Sequence, residues 1–203
     1  MKKIFATIAA ASLMLVCGTA FAQIGVGAGY VNSTIATNGN AKAFDGAYAG
    51  IQLSKNFGNT IGVLTGAEFS YLVNSSSSSI SIASASEKTT EMYVDIPVNL
   101  SLGINFSRDL RWFIFGGPTA SIGISSKSEG SASLFGLTAG TSGDNYESGN
   151  YSRFDVLLGG GIGIDFSAIR FTAGYQYGML NRTPEATYPT HRSLIHVGLA
   201  FLF

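Results

Sequence analysis

The sequence predicts an all-β chain, an eight-stranded antiparallel up-and-down transmembrane β-barrel, and three observations carry that expectation. The first is a period of two. Met92, Val94, Ile96, Val98, Leu100, Leu102, Ile104 and Phe106 are all apolar, whereas the intervening Glu91, Tyr93, Asp95, Pro97, Asn99, Ser101, Gly103 and Asn105 are polar, small or amphipathic. Successive strand side chains point to opposite faces, so this stretch reads as one long strand with an oily and a wet face. The second is composition: hydrophobic residues are 46% of the chain, but charged residues only 12%, about half the usual share for a soluble domain. So few charges do not cover a water-facing surface. The third is the alternation of short and long connections between the strands described below, which places all tight turns at one end of a meander.

The chain begins with a targeting segment. Lys2 and Lys3 form a positive start, Ile4 to Val16 an apolar run, and Ala20-Phe21-Ala22 a small-x-small cleavage site. Residues 1–22 are therefore expected to be a cleaved signal peptide, leaving 23–203 as the barrel domain. Loss of the two lysines takes the formal net charge from zero to minus two, and no basic surface recommends nucleic acid as a partner. The single Cys17 leaves with the signal; a lipid anchor at this thiol wants a small residue in front of it, where Val16 stands. No mature disulfide follows.

The first strand is Gln23 to Val31, with Ile24, Val26, Ala28 and Tyr30 alternating against Gly25, Gly27 and Gly29. A polar loop, Thr34 to Ala43, contains Asn38-Gly39-Asn40. The second strand, Phe44 to Asn56, puts Ala47, Ala49, Ile51 and Leu53 on one face, and a tight turn at Phe57-Gly58-Asn59 follows. The third, Thr60 to Val73, sends Ile61, Val63, Ala67, Phe69, Tyr71 and Val73 outward and Gly62, Gly66, Glu68 and Ser70 inward. The segment Asn74 to Lys88 carries the low-complexity run Ser75 to Ser79, with an Ile80, Ile82 pattern hinting that the flanking strands extend into it as a hairpin.

After the fourth strand, Glu91 to Phe106, comes a tight turn at Ser107-Arg108-Asp109. The fifth strand, Arg111 to Ser125, has Trp112, Ile114, Ala120, Ile122 and Ile124 outward and Phe113 and Phe115 inward. Pro118 cannot donate to a ladder and predicts a bulge or weak spot. A long Gly/Ser/Thr-rich loop, 127–150, precedes the sixth strand, Ser152 to Phe166, where Phe154, Val156, Leu158, Ile162, Ile164 and Phe166 oppose Asp155, Gly159, Gly161, Gly163 and Asp165. Ser167-Ala168 is a minimal turn into the seventh strand, Ile169 to Met179, with Phe171, Ala173, Tyr175 and Tyr177 outward. The loop Leu180 to Thr190 contains Pro184 and Pro189. The eighth strand, His191 to Phe203, sends Ile195, Val197, Leu199, Phe201 and Phe203 outward.

Links after strands two, four and six are thus short, and those after one, three, five and seven long and polar. That arrangement puts both termini on the periplasmic side of an outer membrane. Tyr30, Tyr71, Trp112, Phe166, Tyr175, Tyr177, Phe201 and Phe203 lie on the oily face, many near strand ends, as aromatic girdles would. A soluble barrel binding an apolar ligand also alternates, but its core would not consist of the Gly, Ser, Thr and Asn found on the wet face.

Two stretches then resemble known families. His196 to Phe203 (HVGLAFLF) is similar to the outer-membrane assembly signal, carried by Gly198, Phe201 and Phe203. Asp95-Ile96-Pro97, Phe115-Gly116-Gly117-Pro118, Phe154-Asp155, the glycines from Gly159 to Gly163, and Tyr175-Gln176-Tyr177-Gly178 resemble the porin-family outer-membrane β-barrel domain of the PorT type. The resemblance spans nearly the whole mature chain. It implies the barrel fold, a Gram-negative outer membrane with its lipid and lipopolysaccharide, and delivery by periplasmic chaperones and the barrel-assembly machinery. It implies no catalytic residue.

The inward face collects Glu68, Asp95, Asp155, Arg170, Gln176, Arg192 and His196. Two readings are open: an ion-selective or proton-linked path, and a polar plug. Eight strands leave an interior just wide enough for side chains to fill, which favours the plug. Gly159-Gly160-Gly161 is followed by no helix pattern and so is no phosphate loop. His191 and Ser193, two apart on one strand face, are similar to the His-x-Ser of membrane-embedded lipid A deacylases, where the histidine activates the serine. Leu194 stands where that family has Asn, and no acidic residue follows. Asp144-Asn145-Tyr146-Glu147 is too sparse for calcium. The expectation is a monomeric, non-enzymatic outer-membrane barrel without cofactor or metal, whose loops 32–43, 74–88, 126–150 and 181–190 meet an external ligand or whose body supports the envelope. A lipid-modifying enzyme using His191 and Ser193, or a small-solute channel, is the alternative.

Overall fold

The computed structural model describes residues 23–80, 83–134, 137–147, 151–183 and 187–203. The expected signal segment with Lys2, Lys3 and Cys17, like Ile82 and Pro184, lies outside the described residues.

Within them the two-residue period builds nine strands: β1 (Gln23–Thr37), β2 (Asn40–Phe57), β3 (Ile61–Ile80), β4 (Ala83–Asn105), β5 (Leu110–Leu134), β6 (Leu137–Asp144), β7 (Phe154–Phe166), β8 (Ile169–Gly178) and β9 (Thr190–Leu202). Eight of them close a ring in the order β1-β2-β3-β4-β5-β7-β8-β9, every neighbouring pair antiparallel, with β1 returning to β9 from Gly25 opposite Leu202 to Thr37 opposite Thr190. Closure pairs the backbone of every wall strand on both sides, as a sheet in hydrocarbon requires.

The two faces of the wall separate cleanly. Leu100 and Ile104 on β4 are 65% and 66% exposed, while Glu91 and Ser101 on its other face are each 1% exposed. The aromatic residues of both expected girdles, Trp112, Phe166, Tyr175, Phe201 and Phe203 among them, stand exposed on the outside. The interior is mostly polar, with a small apolar cluster of Val31, Phe44, Tyr48, Leu72, Tyr93, Leu157 and Leu194. Inward glycines make room for large side chains there: a Cβ on Gly163 would run into the Phe113 ring, and one on Gly198 into the Tyr48 hydroxyl.

The loops expected at 32–43 and 126–150 are the main correction, whereas at 74–88 the flanking strands extend as a hairpin, as the Ile80 pattern suggests. β1 and β2 run on to a two-residue turn at Asn38-Gly39, whose φ angles of 43° and 84° are those of a type I′ hairpin. β3 and β4 pair as far as Ile80 opposite Ala83. β5 continues to Leu134, and β6 folds back along it from Leu137 opposite Leu134 to Asp144 opposite Lys127. Beyond the barrel these segments are mostly Ser, Thr, Gly and Ala in sequence, so they extend as strands without a sustained apolar alternation. The result is a four-stranded sheet, β3-β4-β5-β6, projecting past the apolar belt. Its outer edges, 74–80 of β3 and 137–144 of β6, have no further strand beside them among the described residues.

The turns at 58–60, 106–109 and 167–168 are short, as expected, so the opposite end of the barrel is blunt. The ladder between β4 and β5 is interrupted between the pairs Pro97–Thr119 and Leu100–Gly116, beside both prolines. A separate register shift falls at Met92/Tyr93.

Candidate functional site

The inward polar side chains fall into three stations along the barrel axis. Nearest the blunt end, Arg170 sits just after the β7–β8 turn and forks onto Asp165, Nε donating to Oδ1 at 2.6 Å and Nη2 to Oδ2 at 3.0 Å. Arg111 lies 3.8 Å from the same carboxylate, and both guanidiniums stack near the Phe113 ring. The paired strand ends hold these groups, because Asp165 stands directly opposite both Arg111 on β5 and Arg170 on β8.

In the middle, Glu68 and Asp95 face one another across β3 and β4. Ser70 Oγ donates to Asp95 Oδ2 at 3.4 Å, and Oδ1 of the same carboxylate is buried without a partner. His196 meets the Tyr48 ring edge-on, centroids 6.2 Å apart, and lies 6.4 Å from that of Phe115. Gln176 Nε2 donates to Thr119 Oγ1 at 3.2 Å. The cavity these side chains leave is only about 50 Å³, bounded by Glu68, Gln52, Tyr48, Arg170, Gln176 and His196. It has room for water and none for an organic solute.

At the hairpin end the interior is closed by a charge cluster. Glu91, 1% exposed, is gripped by Arg182, whose Nη2 and Nη1 donate to Oε1 and Oε2 at 2.5 and 3.1 Å. Tyr93 donates its hydroxyl to Oε2 at 2.5 Å and Ser126 to Oε1 at 3.1 Å. The Arg182 guanidinium also lies 4.7 Å from the Tyr151 ring. Arg192, likewise 1% exposed, covers the Tyr93 ring at 3.7 Å and donates to Ser33 and Ser121, both at 3.0 Å. Asp155 belongs to this end and accepts the backbone N–H groups of Val156 and Leu180 at 2.8 and 3.1 Å.

Strand parity does not reach the shortest ion pair among the described residues, Arg182–Glu91, since Arg182 belongs to a loop. A signal for it existed: Glu91 is an inward carboxylate, and Arg182 is the one cation between β8 and β9.

His191 and Ser193 lie on the outer face of β9. The His191 ring stacks on Tyr177 with centroids 5.5 Å apart, its Nδ1 is 3.0 Å from the Gly178 carbonyl, and Ser193 Oγ donates to the Thr34 carbonyl at 3.4 Å. The two side chains are thus each committed to a separate backbone carbonyl. At the hairpin end Lys42 Nζ on β2 reaches Glu87 Oε1 on β4 at 2.7 Å, and this hydrogen bond holds the Glu87 carboxyl below its ordinary range. No cluster of three or more metal-ligating side chains occurs among the described residues.

Solved structures similar to this chain include Ail, the attachment invasion locus protein of Yersinia pestis, at 14% identity over 89% of this chain and 98% of that one, with a TM-score of 0.44. Neisserial surface protein A is similar at 12% identity over 89% and 97%, with a TM-score of 0.46. No curated protein matches the sequence. Residues 18–183 match the family described as the outer membrane protein beta-barrel domain. The match covers most of the length of a chain whose strands close in a ring with an apolar outside, and the chain belongs to that outer-membrane family.

Proposed function

We propose that this outer-membrane protein is a non-enzymatic, plugged barrel that displays its four-stranded sheet outside the cell, with both termini in the periplasm, and uses that sheet to contact an external partner. The observation carrying this reading is the pair of open sheet edges beyond the apolar belt, at 74–80 and 137–144. These edges present unpaired backbone N–H and C=O groups and contain no lysine, arginine or proline, the residues that usually blunt an edge. An extended segment of a partner protein adds to such an edge by main-chain hydrogen bonding. Lipopolysaccharide surrounds the barrel at this end as its lipid neighbour.

The three polar stations support a closed lumen over a channel, and the separate engagements of His191 and Ser193 favour a structural role for both. The test is a pull-down of envelope and extracellular proteins with the folded barrel, repeated with Thr141→Lys and Ser76→Lys at the two edges. Capture that falls in the edge variants, with barrel folding intact, supports strand addition. Equal capture by wild type and both variants removes it, and conductance steps of porin size in planar bilayers remove the plug.

A further inference from the structure

Above the Glu91–Arg182 pair the hairpin end opens into a cup of about 530 Å³, within the size range of small-molecule sites and far larger than the 50 Å³ cavity beneath it. Its lining has three features that together select a ligand. First, its charges are cancelled locally: Lys42 is paired with Glu87 on the wall and Glu91 with Arg182 in the floor. An ion entering the cup meets no uncompensated opposite charge. Second, hydroxyls are fixed in place by one another. Thr190 Oγ1 lies 2.7 Å from Thr37 Oγ1 and 2.8 Å from Thr183 Oγ1, and on the opposite wall Thr89 Oγ1 lies 3.3 Å from Ser128 Oγ. A hydroxyl both donates and accepts, so these chains match groups that do the same. Third, the wall includes the apolar Ile35 and the ring of Tyr151, which is backed by the Arg182 guanidinium at 4.7 Å.

We infer that this cup binds an uncharged sugar, of disaccharide size, from the aqueous side. Paired threonine hydroxyls meet the sugar's hydroxyls, and the Tyr151 and Ile35 surfaces meet its C–H faces. The cup is lined by residues of the hairpin end, beyond the apolar belt, so the sugar arrives from solution and not from the bilayer. This site is separate from the sheet edges and stands whether or not those edges take a partner strand.

The experiment is saturation-transfer NMR on the refolded barrel in lauryldimethylamine oxide, a detergent without a sugar head group. The probes are lactose, maltose, trehalose and sucrose, with a sulfated disaccharide for comparison. At least one uncharged probe is expected to receive saturation and the sulfated one to bind more weakly. Thr183→Trp, which fills the cup, is expected to abolish the signal. The isosteric pair Thr37→Val and Thr190→Val, which removes hydroxyls without changing volume, is expected to weaken binding at least tenfold. Retained heat-modifiable gel mobility shows that each variant is folded. Absence of saturation in all four uncharged probes, tighter binding of the sulfated probe, or a signal unchanged in the folded Thr183→Trp protein overturns the inference.

Discussion

Replacing Arg182 by methionine removes the cation from the Glu91 carboxylate while keeping a long side chain over Tyr93 and Tyr151. Glu91 is 1% exposed, so the charge left behind has no access to bulk water. Breaking one side of a buried ion pair costs about 3 to 5 kcal/mol. Here Tyr93 and Ser126 still donate to the carboxylate, which places the expected loss near the lower bound, about 3 kcal/mol. In the double variant Arg182→Met, Glu91→Gln the stranded charge is gone, and a coupling energy of about 2 kcal/mol should be recovered. The assay is urea unfolding in lipid vesicles followed by fluorescence of Trp112, the single tryptophan, which stands 53% exposed on the outer face. A loss below about 1 kcal/mol for Arg182→Met, or a double variant as unstable as the sum of the singles, would refute the assignment of this pair as the buried clasp of the hairpin end.

Further outcomes follow from other parts of the molecule. Leu100→Arg, near the middle of the outward apolar run of β4, should cost about 2 to 4 kcal/mol in the same vesicle assay; normal insertion would reverse the inside-out assignment. Gly198→Ala pushes a Cβ into the Tyr48 hydroxyl and should cost about 1 to 3 kcal/mol, with part of the loss restored by Tyr48→Phe. For Glu87, the carboxyl pKa is lowered by Lys42 in the folded state, so the stabilisation is complete above the ordinary carboxylate pKa and disappears as pH falls through the lowered value. Lys42→Met should therefore cost a few tenths of a kcal/mol at neutral pH, the pair being exposed, and nothing at pH 2 in chemical unfolding. His191→Ala and Ser193→Ala should leave lipid A acylation unchanged by mass spectrometry; a changed acyl pattern would restore the enzymatic reading.

The barrel wall was legible because lipid on one side and a filled lumen on the other impose opposite chemistries on alternate residues. From Met92 to Ile104 the exposure of the side chains follows the parity assignment except around Pro97, which is half-buried like its neighbours Ile96 and Val98, and Asn105, assigned to the wet face, is exposed at the strand end. The projecting sheet was not legible by that route, since consecutive serines from Ser75 to Ser77 are all exposed and alternation carries no information there. The β1–β2 hairpin carries a chemical signal instead, since Asn38-Gly39 is a type I′ turn sequence whose two φ angles are positive. The charge cluster was half legible. Glu91 and Arg192 announce themselves by parity on β4 and β9, but the arrival of Arg182 depends on where the β8–β9 loop folds over the mouth, which no single strand's pattern encodes.

β5, at 25 residues, and β4, at 23, belong to two bodies at once. Their lower halves are staves of the membrane ring and their upper halves are the centre of the projecting sheet. A pull on the sheet directed along the strands therefore loads the β4–β5 ladder lengthwise, so its backbone hydrogen bonds share the force and do not open one after another. The barrel becomes an anchor for that load, since the same two strands run from the part that is grasped into the part that is embedded. A partner seated on a sheet edge would be tethered to the envelope through a continuous pair of strands.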